Sequence, residues 1–387
     1  MESPSPRIHE ADALRGFALL GILLVNARTM AGPGLVPGGG PWASWADEAA
    51  DWLITALVST KFYLLFSFLF GYSFTLQERS ARRAGASFAA RHLRRLSCLF
   101  ALGIAHGVLL FPGDILMVYG ALSLPLFAAR GLAPRTAVRR AAWLVAGTAA
   151  CLLTWGLLTV ALAGPVDPRD AAAAAATARE TTAAYTGGPG SVVRANLGEL
   201  RAVLGWNVLY GADIFAGFLL GLAAGRCGLL AGTERHRARM VRTVRRWLPL
   251  GLAGGVFMAV CRNGPLDARW YDVGSAVGVL TAPALTASYA CGLLLLLRTR
   301  PGRRIAGALT AAGRLALTHY LTQSLVLALV FTGYGLARYG GHGTAAVTAG
   351  CLVLYAGQLA AGRLLIRRYR YGPAEWLLRT ATLARRP

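Results

Sequence analysis

Apolar residues in this chain fall into ten long runs, at roughly 12–30, 52–76, 96–112, 114–129, 141–164, 202–225, 247–261, 272–297, 305–333 and 344–366. A helix needs about 20 mostly apolar residues to cross the hydrocarbon core of a bilayer. The pattern therefore predicts an all-α fold, a polytopic transmembrane helix bundle of about ten helices. The third, fourth and seventh runs are the shortest, and one of them is where a re-entrant segment would fit. The connections alternate in charge. Residues 77–95 hold six arginines, 130–140 four, 226–246 seven, 298–304 four and 367–387 six. Connections 31–51, 165–201, 262–271 and 334–343 hold none, four, two and one. Basic loops stay on the cytoplasmic side, so both termini are expected in the cytoplasm. The longest connection, 165–201, is then extracytoplasmic, and its alanine run followed by Gly187-Gly188-Pro189-Gly190 reads as a surface helix leading into a flexible stretch.

Small residues recur four apart at Gly103 and Gly107, at Gly217, Gly221 and Gly225, at Gly251 and Gly255, and at Gly274 and Gly278. Such spacing lets helix backbones cross closely. Pro125, Pro249 and Pro283 fall inside apolar runs and are expected to kink them. Composition agrees with a membrane: 55% hydrophobic, 15% charged and mean hydropathy +0.49. The net charge of +23 does not indicate nucleic acid, because the basic residues (all arginine but Lys61) cluster between apolar runs. Six scattered cysteines without a C-x-x-C spacing read as small buried hydrophobes. Residues 1–387 thus read as a single integral membrane domain in the cell membrane, with the lipid bilayer as its first partner.

Strongly polar groups at membrane depth are costly, which makes each a candidate for function. The chain carries Arg15, Asn26, Arg28, Lys61, His106, Asp114, Asn207, Asp213, Arg314, His319, Gln323 and Gln358 within its apolar runs or at their ends. Arg15 and Arg314 lie near cytoplasmic ends, where their side chains can snorkel. Asn26, Arg28, Lys61, His106, Asp114, Asp213, His319 and Gln323 share the middle or outer half, which suggests a polar cavity open to the outside. A set of structural salt bridges is the alternative. Lys61 and Arg28 are expected to offset Asp213 and Asp114. His106 is the best candidate for chemistry, since imidazole exchanges a proton near neutral pH. Asp114, in Pro112-Gly113-Asp114, could orient it but also reads as a helix N-cap. His106 precedes Pro112 by six residues, ~9 Å of helix, so contact with Asp114 needs a broken or shifted hairpin. No P-loop, G-x-G-x-x-G, G-x-S-x-G, H-E-x-x-H or metal-ligand spacing is present.

Five ordered stretches carry a family resemblance: Asp12-Ala13-Leu14-Arg15-Gly16 with Asn26; Lys61-Phe62 through Phe70-Gly71; Arg94-Arg95-Leu96 through Gly103, His106 and Gly113-Asp114; Gly313-Arg314 through His319-Tyr320 to Gln323-Ser324; and Tyr371-Gly372-Pro373-Ala374-Glu375-Trp376. Together, over about residues 7–382, they resemble the YeiB-like family of bacterial inner-membrane proteins (domain of unknown function 418). Its pattern has Asn where this chain has His319, and commonly Leu where this chain has Ala374. The Leu-Arg-Gly motif also resembles that of membrane acyltransferases, including sugar O-acetyltransferases and heparan glucosaminide acetyltransferase. That likeness is at the level of fold. It implies no permanently bound cofactor and acyl-CoA as co-substrate, with a small molecule or envelope glycan as acceptor. In those terms His106 is the general base and Asp114 orients it, while Lys61 or Arg28 stabilises the oxyanion. Arg15, Arg94 and Arg95 hold the coenzyme phosphates, and Asn26, Asp213, His319 and Gln323 line the substrate site. A transporter or exporter using the same buried charges, and a non-catalytic envelope component, are the other readings.

Overall fold

The computed structural model describes residues 9–33, 44–164, 168–231 and 236–384; the side chain of Asn207 lies outside the described residues. Fourteen α-helices carry the described chain: α1 (His9–Ala31), α2 (Trp45–Leu53), α3 (Lys61–Arg83), α4 (Phe88–Leu109), α5 (Ile115–Ala128), α6 (Pro134–Leu162), α7 (Pro168–Thr186), α8 (Pro189–Arg226), α9 (Arg237–Asn263), α10 (Tyr271–Leu296), α11 (Arg300–Arg314), α12 (Ala316–Phe331), α13 (Thr344–Arg368) and α14 (Pro373–Leu383). No strand occurs among the described residues. Seven helical stretches are long and apolar enough to cross a membrane, and up to eight if α11 and α12 count as one span. The protein is therefore built as a multi-pass membrane protein, with fewer clear spans than the ten apolar runs predict. The difference has local causes. α4 gives its first two turns to Arg91, Arg94 and Arg95, and α5 has only 14 residues. The ninth run is bent by 81° between α11 and α12. The seventh run, by contrast, lies in a full 27-residue helix.

The 165–201 connection also differs from its predicted form. Gly187 and Gly188 make a tight turn between α7 and α8, and α8 then continues without a break to Arg226. α6 and α13 expose large apolar side chains, among them Trp143 (73%), Trp155 (64%) and Val353 (73%). Such faces are stable against lipid and costly against water.

The second run breaks in mid-course. After α2 the chain makes a π-helical turn at Ile54–Val58, and Thr60 takes a left-handed conformation (φ 69°) before α3 begins. A break at membrane depth frees carbonyls that must find donors within the protein. Lys61 Nζ donates to Thr55 O (3.4 Å) and Tyr289 Oη to Leu57 O (3.0 Å), while beyond the break Thr286 Oγ1 adds a bond to Lys61 O (3.0 Å) that ties the start of α3 to α10. Lys61 thus neutralises the carbonyl end of the preceding turn, where the helix dipole favours a cation.

The spaced glycines do mark close crossings. Gly221 faces the backbone of Phe68, Gly251 that of Leu285, and Gly255 the carbonyl of Ala56. A closer contact than these joins two of the family stretches. A Cβ at Gly16 would meet the Leu309 carbonyl, and one at Gly313 the Asp12 carbonyl, so α1 and α11 touch backbone to backbone. Gly313→Ala should therefore destabilise the protein by about 1–3 kcal/mol through overpacking. Gly307→Ala on the same helix meets open space and should be neutral. Melting in detergent checks the pair; equal losses would remove the crossing as the cause.

Candidate functional site

α4 ends at Leu109 and the chain doubles back, the amides of Leu110 and Phe111 both bonding the His106 carbonyl. This shifted turn brings Asp114 alongside His106, the contact that a regular hairpin would forbid. Asp114 Oδ1 lies 2.9 Å from His106 Nδ1, both side chains being buried. Gly103 makes the approach possible, since a Cβ there would strike the Met117 amide and Asp114 Oδ2. The N-cap reading also holds: Asp114 Oδ2 accepts from Met117 N at 2.7 Å and starts α5. The third partner is Tyr320 of α12, whose hydroxyl donates to Asp114 Oδ1 at 3.2 Å and whose ring lies 5.0 Å from the imidazole. Both ring nitrogens of His106 are buried without an aligned hydrogen-bond partner among the described residues, Nδ1 standing within ion-pair distance of Asp114 and Nε2 facing no partner at all. The tautomer that turns Nδ1–H towards the carboxylate has Nε2 as its acceptor.

Tyr320 also lines a cavity of about 430 Å³ among α1, α3, α4, α5, α12 and α14. One end is apolar, walled by Ile22, Phe66, Phe70, Leu99 and Leu116. The other is basic and open, with Arg15, Arg91, Arg95, Arg314 and Arg379 against the carboxylates of Asp12 and Glu375. Along α3 the lining runs from Phe66 to Ser80, about 21 Å at 1.5 Å per residue. Arg15 bonds Asp12 Oδ1 and Ser73 Oγ, each at 2.5 Å. Arg95 Nε is buried without a hydrogen-bond partner among the described residues. Arg94 is not part of this end; it is exposed and bonds its own helix at Ala90 O. The charged lining of the cavity therefore lies at the arginine-rich end of the bundle, the end predicted to be cytoplasmic, and none of the eight residues expected to share an outward polar cavity lines it.

The expected charge pairs are replaced by others. Arg28 pairs with Asp51 (2.8 Å) and bonds Thr55 Oγ1 (3.3 Å). Asp213 Oδ2 accepts from Tyr63 Oη at 2.6 Å, with Oδ1 buried and unbonded among the described residues. Lys61 is 1% exposed, and the cation near it is Arg262, which bonds the Tyr271 hydroxyl. Lys61 and Arg28 touch neither His106 nor Asp114. Asn26 is half-buried on α1 and joins neither group. His319 and Gln323 belong to a seam between α12 and α13: Gln323 Nε2 donates to Gln358 Oε1 (2.8 Å), and Gln358 Nε2 to the His319 carbonyl (3.1 Å).

Sequence reasoning missed Tyr320, Tyr63, Arg91, Arg379 and Glu375. A tyrosine in an apolar run looks like core, and only the presence of Tyr320 and Glu375 in the ordered stretches could have flagged them.

Residues 224–385 match the family model described as "Protein of unknown function (DUF418)". The chain is 30% identical over 399 residues to the uncharacterized protein YxaH of Bacillus subtilis (strain 168), covering 97% of this chain and 94% of that one. It is 28% identical over 400 residues to an uncharacterized 39.9 kDa protein encoded in the amylase 3' region of Bacillus acidopullulyticus, covering 98% and 95%. It is 27% identical over 383 residues to the uncharacterized protein YeiB of Escherichia coli (strain K12), covering 96% and 95%. Similarity of this extent, together with the helical build and the ordered motifs, places the chain in the DUF418 family of YeiB-like multi-pass membrane proteins.

Proposed function

We propose that this protein is an acyltransferase, which takes an acyl group from acyl-CoA held in the basic cavity and passes it to a hydroxyl or amine of an envelope glycan or small molecule. One observation carries the reading: Tyr320 both lines a cavity with a cationic mouth and bonds a buried His–Asp pair whose Nε2 is unpartnered. Arg15 and Arg95 bind the coenzyme phosphates, and the thioester arm runs inward along the apolar wall towards Tyr320. His106 Nε2 takes the proton from the acceptor, whose oxygen or nitrogen attacks the thioester carbonyl. The tetrahedral intermediate collapses with cleavage of the carbon–sulfur bond, and the imidazolium returns the proton to the leaving thiolate. Asp114 stabilises the imidazolium while it lasts. His106 does not itself line the cavity, so the Tyr320 ring turns aside during turnover.

The 81° break between α11 and α12, which borders the cavity, favours transport as a second reading, because broken helices build substrate sites in transporters. Against it, the amides of Leu317 and Thr318 at the start of α12, where an anionic substrate would bind, are already taken by Glu375. The test uses purified protein in nanodiscs with acyl-CoA and a membrane glycan extract. Wild type should bind acyl-CoA and release free coenzyme thiol. The proposal fails if no acyl-CoA is bound or consumed while proteoliposomes show substrate flux.

A further inference from the structure

α12 begins without a cap of its own. Leu315 stands at its N-cap with no side-chain hydrogen bond, leaving the amides of Leu317 and Thr318 as orphan donors. They are taken by a residue from the far end of the chain. Glu375 Oε1 accepts from Leu317 N (2.7 Å) and Thr318 N (3.0 Å), and Oε2 from Thr318 Oγ1 (2.6 Å). The return contact, Ala374 N to Thr318 Oγ1 at 3.2 Å, closes the junction. Gly372 is needed there, since a Cβ would press on Thr318 Oγ1 and Leu315. In α14 Glu375 occupies the third helical position, from which an acidic side chain ordinarily turns back to cap its own helix. Here it caps α12 instead. Both helices then meet the cavity, α12 through Ala316, Leu317 and Tyr320, and α14 through Leu378, Arg379 and Thr382.

We infer that Glu375 is a positioning residue for the acyl-transfer step: by clamping the first turn of α12 to α14 it sets Tyr320, and through the Tyr320–Asp114 bond it sets the His106–Asp114 pair. The inference rests on the acyl-transfer reading, within which it assigns a role to the Tyr-Gly-Pro-Ala-Glu stretch. Tyr320 is one helical turn beyond Leu317, so loosening the clamp displaces its ring directly. Since misplacement of reacting groups by about 1 Å can cost 10²-fold in rate, loss of the clamp should act on kcat and leave the donor KM almost unchanged.

The experiment uses the full chain in nanodiscs, with Glu375→Ala, Glu375→Gln and each of these combined with Tyr320→Phe. Glu375→Ala should lower kcat for acyl transfer about 10- to 100-fold, and Glu375→Gln, whose amide oxygen still accepts from both amides, should recover most of it; because Glu375 also lines the cavity, any change in donor KM from the lost charge should be the same in both variants. In the Tyr320→Phe background, where the bond to Asp114 is already gone, Glu375→Ala should add little. Amide hydrogen exchange supplies a readout independent of turnover: Glu375→Ala should speed exchange at Leu317 and Thr318 and also at Met117, whose amide Asp114 caps. A rise in KM alone would make Glu375 a donor-binding residue and overturn the inference, as would faster exchange confined to α12. If wild type turns over no acyl-CoA, the acyl-transfer reading falls and the catalytic role of Glu375 with it, and a response at Met117 would then show that the structural linkage alone survives.

Discussion

His106→Ala should reduce acyl transfer by about 10²–10⁴, the usual contribution of a general base, and leave the fold and acyl-CoA binding nearly intact. The fold survives because Asp114 keeps two other partners, the Met117 amide and the Tyr320 hydroxyl, so no carboxylate is stranded. Binding survives because the imidazole is not part of the cavity wall. Asp114→Ala should behave otherwise. It removes the cap of α5, worth roughly 0.5–2 kcal/mol, and leaves the buried groups of His106 and Tyr320 unpaired at about 1–3 kcal/mol each. Its loss of activity should come with a loss of folded protein. Coenzyme release in nanodiscs and melting in detergent separate the two. Wild-type turnover in His106→Ala would remove His106 from the chemistry, and a melting loss equal to that of Asp114→Ala would make its role structural.

What the amino-acid sequence discloses here is what repeats along it. Runs of apolar residues, arginine-rich connections and four-residue spacing of glycines depend only on near neighbours, and the helices and their crossings follow from them. The breaks do not. Residues 52–76 are equally apolar whether the helix is continuous or interrupted at Thr60, and what sustains the interruption is donors far along the chain, Thr286 and Tyr289. The candidate site divides in the same way. His106 and Asp114 are conspicuous because charge is rare at depth, and eight residues with one turn between them leave few ways to meet. Glu375, which serves α12, and Tyr63, which serves Asp213, act across 58 and 150 residues. Depth in the membrane orders residues along one axis only. Lys61 and Asp213 share a depth, yet the first faces the end of a π-helical turn and the second a phenol on α3.

That distinction has a measurable consequence at Asp213. Its carboxylate is fully buried and bonds the Tyr63 hydroxyl, with no arginine or lysine within ion-pair distance among the described residues. Tyr63→Phe should therefore cost about 1.5–3 kcal/mol, the worth of a hydrogen bond to a charged group, because it strands a carboxylate in the core. Combining it with Asp213→Asn should recover part of that loss, with a coupling energy of about 1–3 kcal/mol for groups in direct contact. Lys61→Met should cost its own modest amount, about 1 kcal/mol, for the lost bond to Thr55 O and the lost cation at a helix end. Lys61 and Asp213 share no partner, so that change should add to Asp213→Asn within about 0.5 kcal/mol. Unfolding free energies of wild type and the five variants in one detergent complete both cycles. Strong coupling between Lys61 and Asp213, with none between Tyr63 and Asp213, would restore the salt bridge that equal depth suggests and displace the phenol from its role.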